Sequence, residues 1–444
     1  MNPAILITGA TLATGDTTDI LVRDGVIADL GPNLSHAGAT AINAEGLLAL
    51  PGLVDLHTHL REPGFEQSET VLSGSRAAAI GGFTAVHAMA NTAPVADTAG
   101  VVEQVMSLGE RAGYVTVRPV GAVTVGLAGT QLAEIGAMAA SRAAVRVFSD
   151  DGRCVHDALI MRRALEYTKV FGGVVAQHAQ EPRLTEGAQM HEGAVSGELG
   201  LAGWPAVAEE AVIARDVLLA QHTDARLHIC HVSTAGSVEV VRWAKARGIR
   251  VTAEVTPHHL LLTDESVRSY DARFKVNPPL RTEADVLALR AALADGTIDI
   301  VATDHAPHPI ESKDCEWGTA AMGMVGLESA LSIVQQTMVD TGLIGWTDVA
   351  RILSRVPAEI GGLTGYAEGI AIGAPAEFTL YDPSAERIFG LDSLRGLGRN
   401  SPYLGRTLPG RVITTVHRGY LTVDGGELVD AETVARTSLG ASHG

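Results

Sequence analysis

The sequence predicts an α/β protein in two parts: a (β/α)8 barrel over residues 52–361, and a small β-sandwich domain built from both ends of the chain, 1–51 plus 362–444. Three observations carry this prediction. Both ends consist of short runs of alternating apolar and polar residues punctuated by Gly, Asp and Asn, the pattern of half-buried strands. Between them, eight short β-branched runs recur, most of them separated by stretches of helical period. The 444-residue chain is 46% hydrophobic and 19% charged, which suffices for a large buried core.

In chain order, ILITGATL, DILVRDGVIADLG and AINAEGLLALPG read as the N-terminal strands. The interior runs are LVDLHTH, FTAVHAMA, TVRPVGAV, AAVRVFSDD, GGVVAQHA, ARLHICHV, IRVTAEVTPHH and IDIVATDHA. Stretches such as SETVLSGSRAAAIGG and SVEVVRWAKARG between them read as helices. A strand followed by a helix eight times over is the TIM-like barrel pattern. Residues 185–205 and 307–325 read as long loops, and GAPAEFTLYD, RVITTVHRGYLTVDG and GELV as the C-terminal strands.

Composition excludes several classes of partner. The net charge is -18, with no Lys/Arg block and only 4% aromatics, so nucleic acid and anionic membrane surfaces are poor partners. No run of ~18 apolar residues could span a bilayer, and the N-terminus lacks the charged region of a signal peptide. Cys154, Cys230 and Cys315 are odd in number and widely spaced, which argues against a disulfide framework and for a reducing, cytoplasmic location.

The histidines carry the functional argument. The first interior run ends His57-Thr58-His59, and residues two apart on a strand share a face. The fourth run ends Asp150-Asp151-Gly152, the fifth Gln177-His178, the sixth Cys230-His231 and the eighth Thr303-Asp304-His305. Active sites of such barrels lie at the C-terminal ends of the strands, so five strands deliver metal-competent side chains to one place. Four His (57, 59, 178, 231) and two Asp (151, 304) suit a borderline N/O metal, zinc first. Six ligands are too many for one tetrahedral ion and fit two ions bridged by a carboxylate and a hydroxide. The expected chemistry is metal-assisted hydrolysis of a small polar substrate, with a site carboxylate handling the proton. Arg61, two residues beyond His59, stays on the ligands' face if the strand persists that far, and its guanidinium suits a substrate carboxylate. Asp150, His305 and Cys230 alternate away from the site. His191, His258, His259 and Cys154 receive no catalytic role.

At these residues the sequence resembles a known family. Asp55-Leu-His57-Thr-His59-Leu-Arg61-Glu-Pro-Gly64 is similar to the first signature of the class I dihydroorotases of the amidohydrolase superfamily, and Ala302-Thr-Asp304-His-Ala-Pro-His308-x4-Lys313 to the second. The likeness extends through Asn91-Thr92, Ser149–Gly152, His191-Glu-Gly, Thr256-Pro-His-His-Leu and Lys275-Val-Asn277-Pro-Pro-Leu. The resemblance implies that His57, His59 and Asp304 hold one zinc ion and His178 and His231 a second, with Asp151 bridging. It implies that Arg61, Asn91 and His308 grip a substrate carboxylate, that Asn277 faces the ring, and that the backbone at Met322-Gly323 closes over it. The implied reaction is the reversible cyclisation of N-carbamoyl-L-aspartate to (S)-dihydroorotate, a step of pyrimidine biosynthesis, with Asp304 shuttling the proton.

Allantoinases and hydantoinases bridge their metals with a carboxylated lysine on strand four, where this chain offers only Arg142 and Arg146. Ala90 departs from the family's usual Pro before Asn-Thr. A catalytically dead scaffold for aspartate carbamoyltransferase would have lost ligands, and here all six positions are filled. Association with that enzyme, or self-association, is compatible with activity. The polar loop 309–318, with Glu311, Lys313, Asp314 and Glu316, is expected to act as a mobile lid.

Overall fold

The structure, a computed structural model, describes residues 4–434 and Thr437. Residues 1–3, 435–436 and 438–444, the outermost of the expected composite domain, lie outside the described residues.

Eight parallel strands follow one another in order: Leu53–Thr58, Phe83–Ala88, Thr116–Pro119, Val147–Phe148, Val174–Gln177, Leu227–Ile229, Val251–Val255 and Ile300–Val301. Each falls within one of the runs expected from sequence. The first three pair in parallel, as do the last five. Parallel bridges at Gly121–Phe148 and Thr58–His305 join the two groups into a closed path. Leu56, Met89, Val120, Val147, Val174, Ala176, Cys230, Ile300 and Ala302, drawn from seven of the eight strands or their ends, form one buried cluster inside that path. Cys230 is thus apolar filling, as its alternation with His231 predicts.

Helices cover the outside. Val71–Ile80 starts at Thr70, whose hydroxyl accepts from Ser73 N at 3.1 Å. Glu283–Asp295 starts at Thr282 with a reciprocal Asp285 cap, and each such cap supplies an acceptor to the unpaired first-turn amides. Ala99–Ala112 packs tightly on the third strand through Gly109, where a Cβ would sit 2.4 Å from Val117.

A second, nine-stranded sheet takes Ile5–Leu12, Thr17–Arg23, Val26–Gly31, Thr40–Asn43 and Leu48–Pro51 from the N-terminal side and Phe378–Ile388, Thr407–His417, Tyr420–Asp424 and Glu427–Leu428 from the C-terminal side. The two halves join where Leu48–Pro51 pairs antiparallel with Phe378–Tyr381. Among the described residues no helix is long and apolar enough to cross a membrane.

One expectation is corrected. Residues 185–205 are not a structureless loop: Met190–His191 pairs in parallel with Gly203–Trp204, around a helix at Ala194–Leu199 capped by left-handed Gly200. Elements of two and six residues are too short for their period to show in the sequence.

Candidate metal centre

All six predicted ligands come together at the C-terminal ends of the parallel strands, and each is at most 5% exposed. Their donor atoms fall into two groups sharing Asp151: His57, His59, Asp151 and Asp304 in one, Asp151, His178 and His231 in the other. The two oxygens of Asp151 divide between them. Oδ2 lies 3.3 Å from Nε2 of both His57 and His59, while Oδ1 lies 3.1 Å from His178 Nδ1 and 3.2 Å from His231 Nε2. Asp304 Oδ1 closes the first group at 3.4 Å from His57 Nε2 and 3.1 Å from His59 Nε2. Ligands at ~2.0–2.1 Å from a tetrahedral ion are separated by about 3.3 Å, so this spacing fits metal coordination. His57 Nε2, aimed into the first group, is buried with no hydrogen-bond partner, which suits a metal-ligating nitrogen.

Neighbouring side chains fix the ring orientations. His57 Nδ1 is 2.6 Å from Glu254 Oε1, and Glu254 Oε2 is 2.9 Å from His228 Nε2. Glu254 Oε1 also accepts His231 N at 3.2 Å. His59 Nδ1 lies 2.9 Å from Asn91 Oδ1, and His178 Nε2 lies 2.8 Å from Gln180 Oε1. Such partners set which imidazole nitrogen is free for the metal. Glu254 also lies with Cys230 close to His57.

Charges in the cluster balance one another. Burial raises the Asp151 carboxyl, but His57, His178 and His231 outweigh it and hold it well below the carboxylate range. Asp304 is pushed up by burial and down by His57 and His59, and settles at about 2. Conversely, His57 is lowered by burial but raised further by Asp151, Glu254 and Asp304, and ends well above its ordinary value. Without metal the His57 ring holds a proton that a divalent ion would displace.

The residues expected to bind substrate are arranged as follows. The strand does not persist to Arg61 as expected: it ends at Thr58, and Arg61 turns back with φ 64. The turn still places its guanidinium near Asp304 and Asp151, and burial lowers its pKa to about 10. Arg61 Nε donates to Pro307 O at 3.2 Å, and its terminal nitrogens have no partner among the described residues. Asp304 and His231 also sit at positive φ, 47 and 30. Strained backbone of this kind concentrates at functional sites. Asn277 donates to Gln180 at 3.3 Å, leaving its buried Oδ1 without a partner. His308 Nε2 lies 2.8 Å from Met322 O, so with its proton there Nδ1 is a bare acceptor. Burial, with Arg61 and Lys313, depresses His308 to about 3. Gly323 N is committed to Lys275 O at 3.0 Å.

The remaining candidates lie outside the two donor groups. Asp150 accepts Val123 N at 2.8 Å and Thr124 N at 2.9 Å. His305 turns to Glu69 at 3.5 Å. His259 is held by Thr256 Oγ1 at 2.7 Å, and His191 by Arg281 at 3.1 Å. His258 Nε2 is buried and unpartnered, and its pKa falls to about 4 through burial. Glu254 and Gln180 escaped the sequence reading. A single acid inside the apolar run VTAEV is the signal that could have found Glu254, because a buried strand carboxylate needs a partner.

Comparisons with known proteins give the family and the fold. Residues 46–237 match the family model described as dihydro-orotase-like. The chain is 71% identical to the dihydroorotase of Leifsonia xyli over 97% of its own length and 98% of the relative's. It is 67% identical to that of Streptomyces coelicolor (95% and 99%) and 54% identical to that of Mycobacterium tuberculosis (93% and 96%). Among solved structures, an L-hydantoinase (dihydropyrimidinase) from Arthrobacter aurescens superposes with a TM-score of 0.84 at 23% identity, covering 97% of this chain and 98% of that one. A dihydropyrimidinase from Brevibacillus agri gives 0.81 at 22%, covering 96% of each. At such identity these two structures speak for the fold alone.

Proposed function

The chain belongs to the dihydroorotase family, and on that premise we propose how its residues carry out reversible hydrolysis of the cyclic amide of (S)-dihydroorotate to N-carbamoyl-L-aspartate in pyrimidine biosynthesis. The observation that carries the reading is the division of the Asp151 oxygens between two donor groups.

The fold is read as a (β/α)8 barrel over 52–361 beside a β-sandwich from 1–51 and 362–444. The closed parallel path with its own internal core supports the barrel. A single cluster of Ile5, Ile20, Ile27, Phe378 and Val416, from strands distant in the sheet, supports a sheet folded onto itself.

His57, His59 and Asp304 would hold one zinc ion, His178 and His231 a second, with Asp151 shared. The bound ions would supply an activated water and polarise the ring carbonyl. Asp304 faces that space with its carboxylate ionised at neutral pH, so it can take the proton of the attacking water and pass it to the departing ring nitrogen. The ureido nitrogen then leaves as neutral NH2 and a new carboxylate forms. Arg61 offers its terminal nitrogens to the substrate carboxylate as a bidentate fork. The Asn91 carbonyl is engaged by His59, which leaves its amide to donate beside Arg61. Asn277 Oδ1, buried without a partner, would accept a ring N–H. His308 reaches the carboxylate only by releasing Met322 O; as it stands it forms a neutral wall of the pocket.

The hydantoinase and allantoinase readings are not favoured: the bridging position is Asp151 and the high-identity relatives are dihydroorotases. Three unpaired cysteines support a cytoplasmic location. Self-association and binding to aspartate carbamoyltransferase rest on the resemblance alone. The test is turnover of dihydroorotate, allantoin and hydantoin side by side, with metal content measured on the same sample. Only dihydroorotate should turn over, with the equilibrium moving towards ring opening as pH rises, because hydrolysis releases a proton. Two bound metals without dihydroorotate turnover would refute the reading.

A further inference from the structure

Lys313 is the last residue of the second signature, yet no step above uses it. It lies in the loop expected to be a lid, but its side chain points inward and is 8% exposed. Its ammonium donates to three carbonyls: Ala321 O at 2.8 Å, Gly323 O at 3.0 Å and Lys275 O at 3.1 Å. That satisfies all three of its protons. Among the described residues its hydrogen-bond partners are these carbonyls and not a carboxylate.

Those acceptors belong to the segments that border the substrate space. Three consecutive carbonyls are held: Ala321 by Lys313, Met322 by His308, and Gly323 by Lys313 and by Asn400 Nδ2 at 3.1 Å. Asn400 comes from the C-terminal segment and also accepts His308 N at 3.2 Å. Lys275 is two residues before Asn277, and its own ammonium reaches Trp317 O and Gly318 O. Gly323, at φ 143, permits the approach; a Cβ there would lie 2.8 Å from His308 Nε2.

We propose that Lys313 is a positioning residue for substrate binding: with Asn400 it locks the 321–323 backbone against Lys275 and so fixes His308 and Asn277 around the substrate. The inference rests on the dihydroorotase reading of the site. The loop 309–318 is therefore pinned at its centre, and only the exposed residues on either side of Lys313 are free to move. Burial, reinforced by Lys275, lowers Lys313 to about 7, so the three-donor form gives way to a two-donor amine just above neutrality. The other charged or titratable groups facing it are Asp271, Cys315 and His308.

The test uses the metal-loaded full chain and the substitutions Lys313→Met and Asn400→Ala. Each should raise KM for dihydroorotate roughly ten- to hundredfold, as expected when binding groups shift by a fraction of an ångström to an ångström. kcat should stay within a few-fold of wild type and metal content should be unchanged. The double variant should cost less than the product of the two single effects, because both act on one backbone segment. The KM ratio of Lys313→Met to wild type should narrow above pH about 7. An unchanged KM in both variants, or a fall in melting temperature alone, would overturn the assignment. Loss of metal with a fall in kcat would also overturn it, placing Lys313 in the scaffold of the metal centre. Failure of the wild-type chain to turn over dihydroorotate would instead refute the underlying functional reading.

Discussion

Replacing Glu254 by Gln should weaken metal binding more than it weakens the fold. Glu254 is 1% exposed and accepts three hydrogen bonds, from His57 Nδ1 at 2.6 Å, His228 Nε2 at 2.9 Å and His231 N at 3.2 Å. Its charge is matched by the histidines: burial raises its pKa, but His57 and His228 outweigh burial and hold it well below the carboxylate range. Glutamine keeps the shape and one acceptor but removes the charge that raises the basicity of His57. Partners of this kind are worth roughly 10- to 100-fold in metal affinity, or about 1.4–2.7 kcal/mol. The loss should fall mainly on the position held by His57, His59 and Asp304, because only a backbone amide of His231 depends on Glu254. Glu254→Ala differs in kind: it strands three buried donors at ~1–3 kcal/mol each and should destabilise the whole chain. Chelator competition and metal stoichiometry on Glu254→Gln, with denaturant unfolding of the same samples, separate the effects. Affinity within twofold of wild type would show that Glu254 only packs and does not tune the ligand.

Four further outcomes follow from the site and the core. Arg61→Gln should raise KM for dihydroorotate about 10- to 100-fold with kcat changed far less, because a charge-assisted carboxylate bond is worth ~1.5–3 kcal/mol; equal losses in both would contradict a binding role. Asp304→Asn should lower kcat by about 10²–10⁴, and near-normal turnover with metal bound would remove the proton-shuttle assignment. Metal affinity should climb between pH 6 and 8, since binding expels protons that Asp151, Glu254 and Asp304 hold on His57; titration calorimetry showing a flat profile would count against the cluster as a ligand set. His87, 2% exposed and lowered to about 4 by burial, is neutral in the folded state. Its contribution is complete above the unfolded value near 6.5 and drains away as pH falls from there towards 4, by up to about 3 kcal/mol; equal acid sensitivity of wild type and His87→Asn in unfolding titrations would refute it.

The proposed ligands are legible because two regularities coincide in them. His57, His59, Asp151, His178, His231 and Asp304 each lie at or just beyond the end of a parallel strand, and barrel strands point their C-terminal ends at one place. Periodicity locates such positions without any knowledge of contacts. It fails for Arg61, whose left-handed turn is a tertiary result: the chain reverses to meet Pro307, and no local pattern encodes that. It fails also for Asn400, which reaches Ala306, His308 and Gly323 from the far end of the chain. Lys313 is visible as a residue of a polar loop, but its inward position is not, because a charged side chain in a loop is normally solvated and only the structure shows the three carbonyls it meets.

The charge balance of the site gives an order of events. The chain carries -18, and its substrates are anions, so the field of the whole molecule opposes binding. Locally, Asp151 and Asp304 contribute two negative charges against the single positive charge of Arg61, with the ligand histidines neutral when bound to metal. In the metal-free site a proton on His57 brings that count to zero and leaves Arg61 beside two carboxylates. Two divalent ions would displace that proton, turn the count positive and free the guanidinium from its role as the carboxylates' counter-charge. Substrate affinity should accordingly depend on prior metal loading, and the acidic surface then discourages adventitious anions without disfavouring the one that reaches the metals and Arg61 together.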